Sequence, residues 1–207
     1  SHNPSIWNGF KYRPEYAGSA SPEITAEVEK RICYAQSGAC EVRRMPLEEG
    51  LEKGLIIKID ARTPYLRQIA SLVDLDAIKN AGLTVVVDAM FGAGIGYFPA
   101  LLDGGKTQVI EVNNVRNPIF PGMHNPEPIE HNLTALRQAI LEHGADAGLA
   151  NDGDADRIGF MDETGAFINQ LQVYALLLLY LLEVRGERGP IVKTITTTVM
   201  ANKLAAK

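Results

Sequence analysis

Cysteine, basic charge and long apolar runs are all scarce in this sequence, and each shortage argues against a class of protein. Its 207 residues include only Cys33 and Cys40, too few for a disulfide framework, so we expect reduced thiols, with a single local bridge as the alternative. The formal net charge of −5 at pH 7 argues against a general nucleic-acid or membrane-surface binder, which usually carries a basic face. The longest apolar run, 173–182, is shorter than the roughly 20 residues that span a bilayer. These shortages predict a cytoplasmic protein with no nucleic-acid and no membrane partner.

Apolar residues are plentiful by contrast, at 46% of the chain, and their spacing alternates between strand and helix patterns from about residue 55 onward. That alternation predicts a doubly wound α/β domain. The expected strands are 55–60, 83–88, 108–112, 147–150, 158–162 and 191–198. The expected helices are 22–35, 64–73 with Thr63 as its N-cap, 75–81, 97–102, 133–141, 171–184 and 199–207. The Asn- and Pro-rich segment 113–130 is expected to form an exposed loop, since its prolines suit neither a helix nor a central strand.

The most informative stretch is the run Asp-Gly-Asp-Ala-Asp-Arg at 152–157. On an extended or tightly turning backbone, alternate side chains point the same way, and Gly153 and Ala155 leave the intervening backbone free of bulk. Three converging carboxylates suit a hard cation such as Mg²⁺ or Ca²⁺, and Mg²⁺ usually keeps positions open for water or a phosphate oxygen. The run follows a predicted strand, at the edge where open α/β sheets usually bind ligands.

Two other interpretations compete for this acidic run. A calcium-binding helix-loop-helix fits superficially, because Asp152, Asp154, Asp156 and Glu163 fall at its loop positions 1, 3, 5 and 12. Its sixth position requires glycine but holds Arg157, and the flanking segments are predicted strands. A solvated acidic turn without a metal is the remaining alternative.

A glycine-rich stretch at 92–96 follows the predicted strand that ends at Asp88 and precedes a predicted helix. With Glu111 at the end of the next strand, it is similar to a dinucleotide-binding turn, but its third glycine comes one residue too early. We expect a tight strand-to-helix turn. A metal- or nucleotide-binding α/β module without catalysis of its own is therefore kept as an alternative function.

The chain begins with Ser-His-Asn-Pro at 1–4, followed by Asn-Gly-Phe-Lys at 8–11. Alone, a terminal Ser-His pair is equally compatible with an expression remnant. Together with the acidic run, these residues resemble the α-D-phosphohexomutases, the phosphoglucomutases and phosphomannomutases, whose phosphoserine loop reads Thr-Ala-Ser-His-Asn-Pro and whose metal loop reads Asp-Gly-Asp-x-Asp-Arg. The stretches 86–88, 92–94 and 120–126 also resemble the second domain of that family.

The family has four domains, so the resemblance implies a fold and a division of this chain. Residues 1–61 would end the phosphoserine domain, 62–165 would form a complete three-layer α/β/α domain with a mixed, mostly parallel sheet, and 166–207 would begin a third domain. The incomplete pieces on either side would belong to domains similar to the central one. The sequence shows neither the Glu-rich sugar-recognition loop nor the Ser-Gly-Thr phosphate loop of the family. We therefore expect a fragment with little or no mutase activity by itself.

The resemblance also implies a reaction. Phosphorylated Ser1 would pass its phosphoryl group to a glucose or mannose phosphate and form a sugar bisphosphate, which would then return its other phosphate, so that hexose 1-phosphate and hexose 6-phosphate interconvert. The implied ligands of Mg²⁺ are Asp152, Asp154, Asp156 and the phosphorylated Ser1. Because phosphoserine carries nearly two negative charges, it needs such compensation beside a phosphosugar.

The remaining implied site residues are His2, Lys11, His124 and Arg157. Lys11 and Arg157 would offset charge on the transferring oxygens, as phosphoryl transfer requires. His2 is a candidate acid or base, with a merely loop-shaping role as the alternative. Arg157 would also contact substrate, or else only balance the acidic run. His124 would line the cleft from the Pro-rich loop, unless it is a solvent-exposed residue without a function.

Overall fold

A computed structural model describes residues 3–7 and 9–206. The described residues form two compact units: the larger, the sheet unit, comprises residues 3–7 and 65–206, and the smaller, the helical unit, comprises residues 9–64. Among the described residues, no helix is both long and apolar enough to pass through a bilayer.

The sheet unit is built on a five-stranded mixed sheet. Its strands are β1 (Thr84–Asp88), β2 (Gln108–Val112), β3 (Ala147–Asn151), β4 (Ile158–Asp162) and β5 (Phe167–Ile168). Their order in the sheet is β2-β1-β3-β4-β5. The first three in that order are parallel, and β4 is antiparallel to both β3 and β5. Only β4 runs against the other described strands, which confirms the predicted mixed, mostly parallel α/β sheet.

All the described α-helices except α2 begin and end close to where the sequence predicts them. They are α1 (Pro22–Gln36), α2 (Leu47–Glu52), α3 (Arg62–Leu72), α4 (Leu75–Asn80), α5 (Tyr97–Leu102), α6 (Thr134–His143), α7 (Gln170–Leu179) and α8 (Met200–Ala205), with a 3₁₀ turn at Glu130–Asn132 and a π-helical turn at Tyr180–Val184. The capping residues are the expected ones at two ends. Ser21 accepts a hydrogen bond from the third residue of α1, and Gly144 ends α6 with φ of 57°.

The core of the sheet unit lies on both faces of β1. Val86 packs in one apolar cluster with Leu136 and Ile140 of α6. Because side chains alternate along a strand, Val85 and Val87 face the opposite side, and they are buried as well. A strand buried on both faces requires layers of structure on both sides of the sheet.

Three loops leave the sheet side by side at one edge. The last residue of β1, Asp88, is level with Val112 of β2 and with Ala150 of β3. Because these three strands are parallel, the glycine-rich turn, the Pro-rich loop and the acidic run all start at neighbouring points. This edge is where open α/β sheets usually bind ligands.

Two predicted strands are not formed. Residues 57–61 and 191–194 have no regular structure, although both segments are rich in β-branched residues. The amides of Leu55 and Ile56 instead donate to the carbonyl of Gly50, in the turn that closes α2. A strand needs a neighbouring strand to satisfy its backbone, and no described strand pairs with either segment.

Smaller differences follow from local contacts. The sequence did not predict α2 or the two-residue strand β5, which are too short to give a periodic pattern. Helix α3 begins at Arg62, earlier than the expected cap at Thr63, because the Asp60 carboxylate accepts a hydrogen bond from the Thr63 amide. Cys33 and Cys40 are free and exposed, so the expectation of unpaired thiols is confirmed.

Candidate metal centre

The three aspartates of the acidic run converge as predicted. One carboxylate oxygen of each of Asp152, Asp154 and Asp156 lies within 4.8 Å of those of the other two. Asp152 is buried, with 1% of its surface exposed, whereas Asp154 and Asp156 are exposed. One ligand is thus fixed inside the protein and two face solvent.

A tight turn, centred on the carboxylate of Asp152, brings these side chains together. Oδ1 of Asp152 accepts hydrogen bonds from the amides of Asp156 at 2.9 Å and Arg157 at 3.0 Å. The Ala155 amide donates to the Asp152 carbonyl at 3.0 Å, and Ala155 takes a left-handed φ of 60°. The small residues of the motif therefore allow the backbone to curl around the first aspartate.

The other oxygen of Asp152, Oδ2, differs from Oδ1 in its surroundings. Oδ2 is buried and accepts no hydrogen bond from any residue that the structure describes. Burial raises the pKa of this carboxyl above its ordinary value; the Arg157 amide opposes that rise, and the charges of Asp154 and Asp156 add to it. Leaving a buried charged oxygen unsatisfied is costly. A cation bound by all three aspartates would remove that cost.

The residues present fit a hard divalent cation. Each of the three side chains offers carboxylate oxygen, the donor that Mg²⁺ and Ca²⁺ prefer. Two unit charges about 4 Å apart repel by about 4 kcal/mol at an effective dielectric constant near 20, so the cluster is unfavourable when all three groups are ionised. A cation reverses the sign of that interaction.

The peptide of Gly153, between the first two aspartates, is fixed on both sides by other loops. Its amide donates to the Pro126 carbonyl at 3.1 Å, and its carbonyl accepts from the Ala93 amide at 3.0 Å. A Cβ built on Gly92 would lie 2.4 Å from the Gly153 oxygen. The glycine-rich turn thus contacts the acidic run directly. Residues 90–96 form the expected tight turn between β1 and α5.

Arg157 is held by a residue that the sequence did not single out. Its Nη1 donates to Oε1 of Glu127 at 2.8 Å, whereas its Nε is 4.0 Å from the Asp156 carboxylate. Asn125 donates to the other oxygen of Glu127 at 3.1 Å. Glu127 therefore orients the guanidinium from the Pro-rich loop. No sequence signal would have found it, because the two partners are 30 residues apart.

The structure describes two of the other four candidate residues, His124 and Lys11. His124 is exposed, and its Nδ1 lies 3.4 Å from Oδ1 of Asn125. Lys11 is an exposed residue of the helical unit. Ser1 and His2 lie outside the described residues. Residues 3–7 belong to the sheet unit.

Comparison with known proteins connects this geometry to one family. Residues 63–165, about half of the chain, match the family described as phosphoglucomutase/phosphomannomutase, α/β/α domain II. The chain belongs to the phosphoglucomutase/phosphomannomutase family. The three aspartates and Arg157 lie within the matched domain II, whereas Ser1, His2 and Lys11 precede it.

The similarity to named relatives extends over the whole chain. It is 35% identical over 207 residues, all of the chain, to a phosphoglucomutase/phosphomannomutase of Thermococcus kodakarensis, and 35% identical over 211 aligned residues to a phosphoglucosamine mutase of Thermobifida fusca. The chain spans 43% of the length of each relative. A solved structure assigned as a phosphomannomutase from Thermus thermophilus is 33% identical, has a TM-score of 0.62, and matches 68% of this chain and 32% of its own.

Proposed function

We propose that this chain is the part of a phosphohexomutase that carries the phosphoryl donor and its metal, in an enzyme that interconverts hexose 1-phosphate and hexose 6-phosphate through a phosphoserine and a sugar bisphosphate intermediate. The observation that carries the proposal is the buried Oδ2 of Asp152, without a partner among the described residues and close to two further carboxylates. That arrangement does not stabilise the folded chain by itself, whereas it would stabilise a bound cation. Membership of a phosphomutase family supplies the reaction class.

In this proposal Asp152, Asp154, Asp156 and the phosphate on Ser1 hold Mg²⁺. Bound there, Mg²⁺ would offset negative charge on the oxygens of the transferring group. The protein's own part is to fix Asp152 through the amides of Asp156 and Arg157, so that at least one ligand needs no rearrangement on binding.

The proposed transfer exchanges one phosphorus–oxygen bond for another. The bond between phosphorus and Oγ of Ser1 breaks and a bond from phosphorus to a sugar hydroxyl oxygen forms. The hydroxyl proton passes to a base, for which His2 is the candidate, and Oγ of Ser1 takes up a proton from solvent to become a hydroxyl. Returning the other phosphate to Ser1 releases the product. Lys11 and Arg157 supply positive charge to the transferring oxygens, and His124 contacts the substrate. Because arginine has five N–H donors, the ion pair with Glu127 orients Arg157 without using all of them.

The substrate class is a hexose phosphate, and we place this reaction in the cytoplasm. Glucose or mannose phosphate is the proposed sugar, and glucosamine phosphate is the competing one, because relatives of nearly equal identity carry both kinds of name. The proposed division is 1–61 for the end of the phosphoserine domain, 62–165 for the domain with the metal loop, and 166–207 for the start of a third.

Direct titration with Mg²⁺ tests the metal part of the proposal. Calorimetry on the 207-residue chain should show binding that is lost on Asp154→Ala. The matched control is Glu163→Ala, which removes one exposed acidic side chain from the turn after β4 and should leave the affinity unchanged. Equal affinity in the unaltered chain and the Asp154 variant would rule out Asp154 as a ligand.

The reaction needs a separate assay. A protein of the relatives' full length that contains this sequence should interconvert hexose 1- and 6-phosphates when primed with a sugar bisphosphate, and the rate should fall to background on Ser1→Ala. Glucose, mannose and glucosamine phosphates are compared to identify the sugar. Lack of turnover with all three would contradict the mutase function, whatever the metal titration shows.

A further inference from the structure

The glycine-rich turn after β1 has a contact that its sequence did not predict. Gly92 faces the backbone of the acidic run so closely that an added Cβ would lie 2.4 Å from the oxygen and 2.9 Å from the carbonyl carbon and Cα of Gly153. Real Cβ atoms do not approach backbone atoms so closely. Only glycine at position 92 allows Gly153 to lie where it does.

The turn itself is held in an unusual backbone conformation. Met90 and Phe91 have φ values of 45° and 57°, in the left-handed region that residues with side chains adopt reluctantly. Oδ1 of the fully buried Asp88 accepts a hydrogen bond from the Met90 amide at 2.8 Å. That buried carboxylate thus stabilises the first of the two left-handed residues.

Asn113, at the end of β2, completes the support. Its side-chain amide lies 3.0 Å from both oxygens of Asp88, its carbonyl accepts from the Phe91 amide at 2.9 Å, and its own φ is 49°. The ends of two adjacent strands therefore fix the glycine-rich turn. That turn then holds Gly153 in place through the contact with Gly92 and the hydrogen bond from the Ala93 amide.

We propose that Gly92, supported by Asp88 and Asn113, is a positioning residue for the metal loop: it sets the place of the Gly153 peptide and hence the spacing of Asp152 and Asp154. None of these three supporting residues is itself a metal ligand. Their effect reaches the cation through the backbone between two ligands. The inference rests on the proposed function in one respect, that the acidic run binds Mg²⁺.

The sequence offers a closely matched control for Gly92→Ala. A Cβ on Gly105 would lie 2.5 Å from the Lys79 oxygen, so Gly105→Ala creates the same kind of overlap with a backbone carbonyl. Gly105 lies between α5 and β2, away from the acidic run. Neither glycine has a positive φ, so alanine introduces overlap at both positions without backbone strain of its own.

The experiment compares the unaltered 207-residue chain, Gly92→Ala and Gly105→Ala by two measurements: Mg²⁺ titration, and amide hydrogen exchange of the 147–158 segment without metal. We expect Gly92→Ala to raise the Mg²⁺ dissociation constant about 10- to 100-fold, the usual effect of losing support behind a metal ligand, and to speed exchange in that segment. Gly105→Ala should change neither, even if it lowers the melting temperature as much.

Equal Mg²⁺ affinity and equal exchange in the two variants would overturn the positioning role. Absence of Mg²⁺ binding in the unaltered chain would instead refute the proposed metal function, and the exchange comparison would still decide whether Gly92 holds the loop. The two failures are therefore distinguishable. Weakened binding in both variants to the same degree would count against the inference, because it would show a general loss of stability.

Discussion

The sheet region and its flanks use similar residues and reach different structures. The sheet region comprises residues 84–162. In this region the valines of β1 and the apolar side chains on the inner face of α6 are buried. In the flanks, Ile57 and Ile59 are 78% and 80% exposed, and Val192 and Ile195 are 89% and 98% exposed. Both flanking segments are rich in β-branched residues, which make up half of 55–60 and nearly all of 191–198. The difference shows that burial and pairing, more than residue type, decide which apolar run becomes a strand.

The largest expected difference between the two regions is in stability. Ile140 is fully buried and Ile195 is almost fully exposed, so the same substitution to alanine can be compared at both. Ile140→Ala should lower the free energy of unfolding by about 2–5 kcal/mol, and Ile195→Ala should change it by less than about 0.5 kcal/mol. Urea denaturation measures both. Equal effects would show that Ile195 is packed against a partner in solution.

Hydrogen exchange should separate the regions without any substitution. Amides of β1 bond to two neighbouring strands, so they should exchange only on large-scale unfolding, whereas those of 191–194, which form no regular structure, should exchange near the rate of an unfolded chain. Mass spectrometry of peptides from 84–88 and 191–198 provides the comparison. Strong protection of the second peptide would mean that it forms a strand after all.

A pH effect should be specific to the sheet region. Burial raises the pKa of Asp88, although the Met90 amide and Asn113 oppose the shift. A carboxyl with a raised pKa in the folded state contributes stability that is present at low pH and is lost as pH rises through that pKa. The unaltered chain should therefore gain stability relative to Asp88→Asn as pH falls from 7 toward 4.5. Denaturation curves at several pH values check the sign, and a constant or reversed difference would contradict it.

The smallest predicted effect should be the same in both regions. Glu127 pairs with Arg157 in the sheet region, and Glu27 pairs with Arg31 on α1. The Glu27–Arg31 pair is solvent-exposed, and in the other pair Arg157 is exposed and Glu127 half-buried. Neither pair is buried, so Glu127→Gln and Glu27→Gln should each cost about 1 kcal/mol or less. Only the first should alter the environment of Arg157. A much larger loss of stability from Glu127→Gln would mean that the pair supports the fold as well as the site.

Local sequence patterns predicted most of the secondary structure of the sheet region. Apolar runs bounded by turn residues predicted β1, β2 and β4 nearly to the residue, because in this region each run has a partner. The alternate spacing at 152–157 predicted that three carboxylates would meet, since that depends only on a few consecutive residues. The segments 55–60 and 191–198 gave the same kind of pattern and no strand, because pairing is not a property of the segment alone.

The sequence did not reveal the site's contacts between residues that are far apart along the chain. The approach of Gly92 to Gly153 depends on two parallel strands ending at the same level, and the Glu127–Arg157 pair joins loops 30 residues apart. Neither leaves a periodic signal. The roles of Ser1, His2, Lys11 and His124 remain predictions from the resemblance, whereas the convergence of the three aspartates follows from the loop itself.

The most direct test of the metal site is the effect of Asp152→Asn on binding and on stability together. Oδ2 of Asp152 is a buried acceptor whose charge adds to the repulsion from Asp154 and Asp156. If this carboxylate is present for a cation, the variant should lose Mg²⁺ affinity by at least about 10-fold, while the metal-free chain keeps or gains stability. Unchanged affinity, with a large loss of stability in the metal-free chain, would contradict the account and make Asp152 a structural residue.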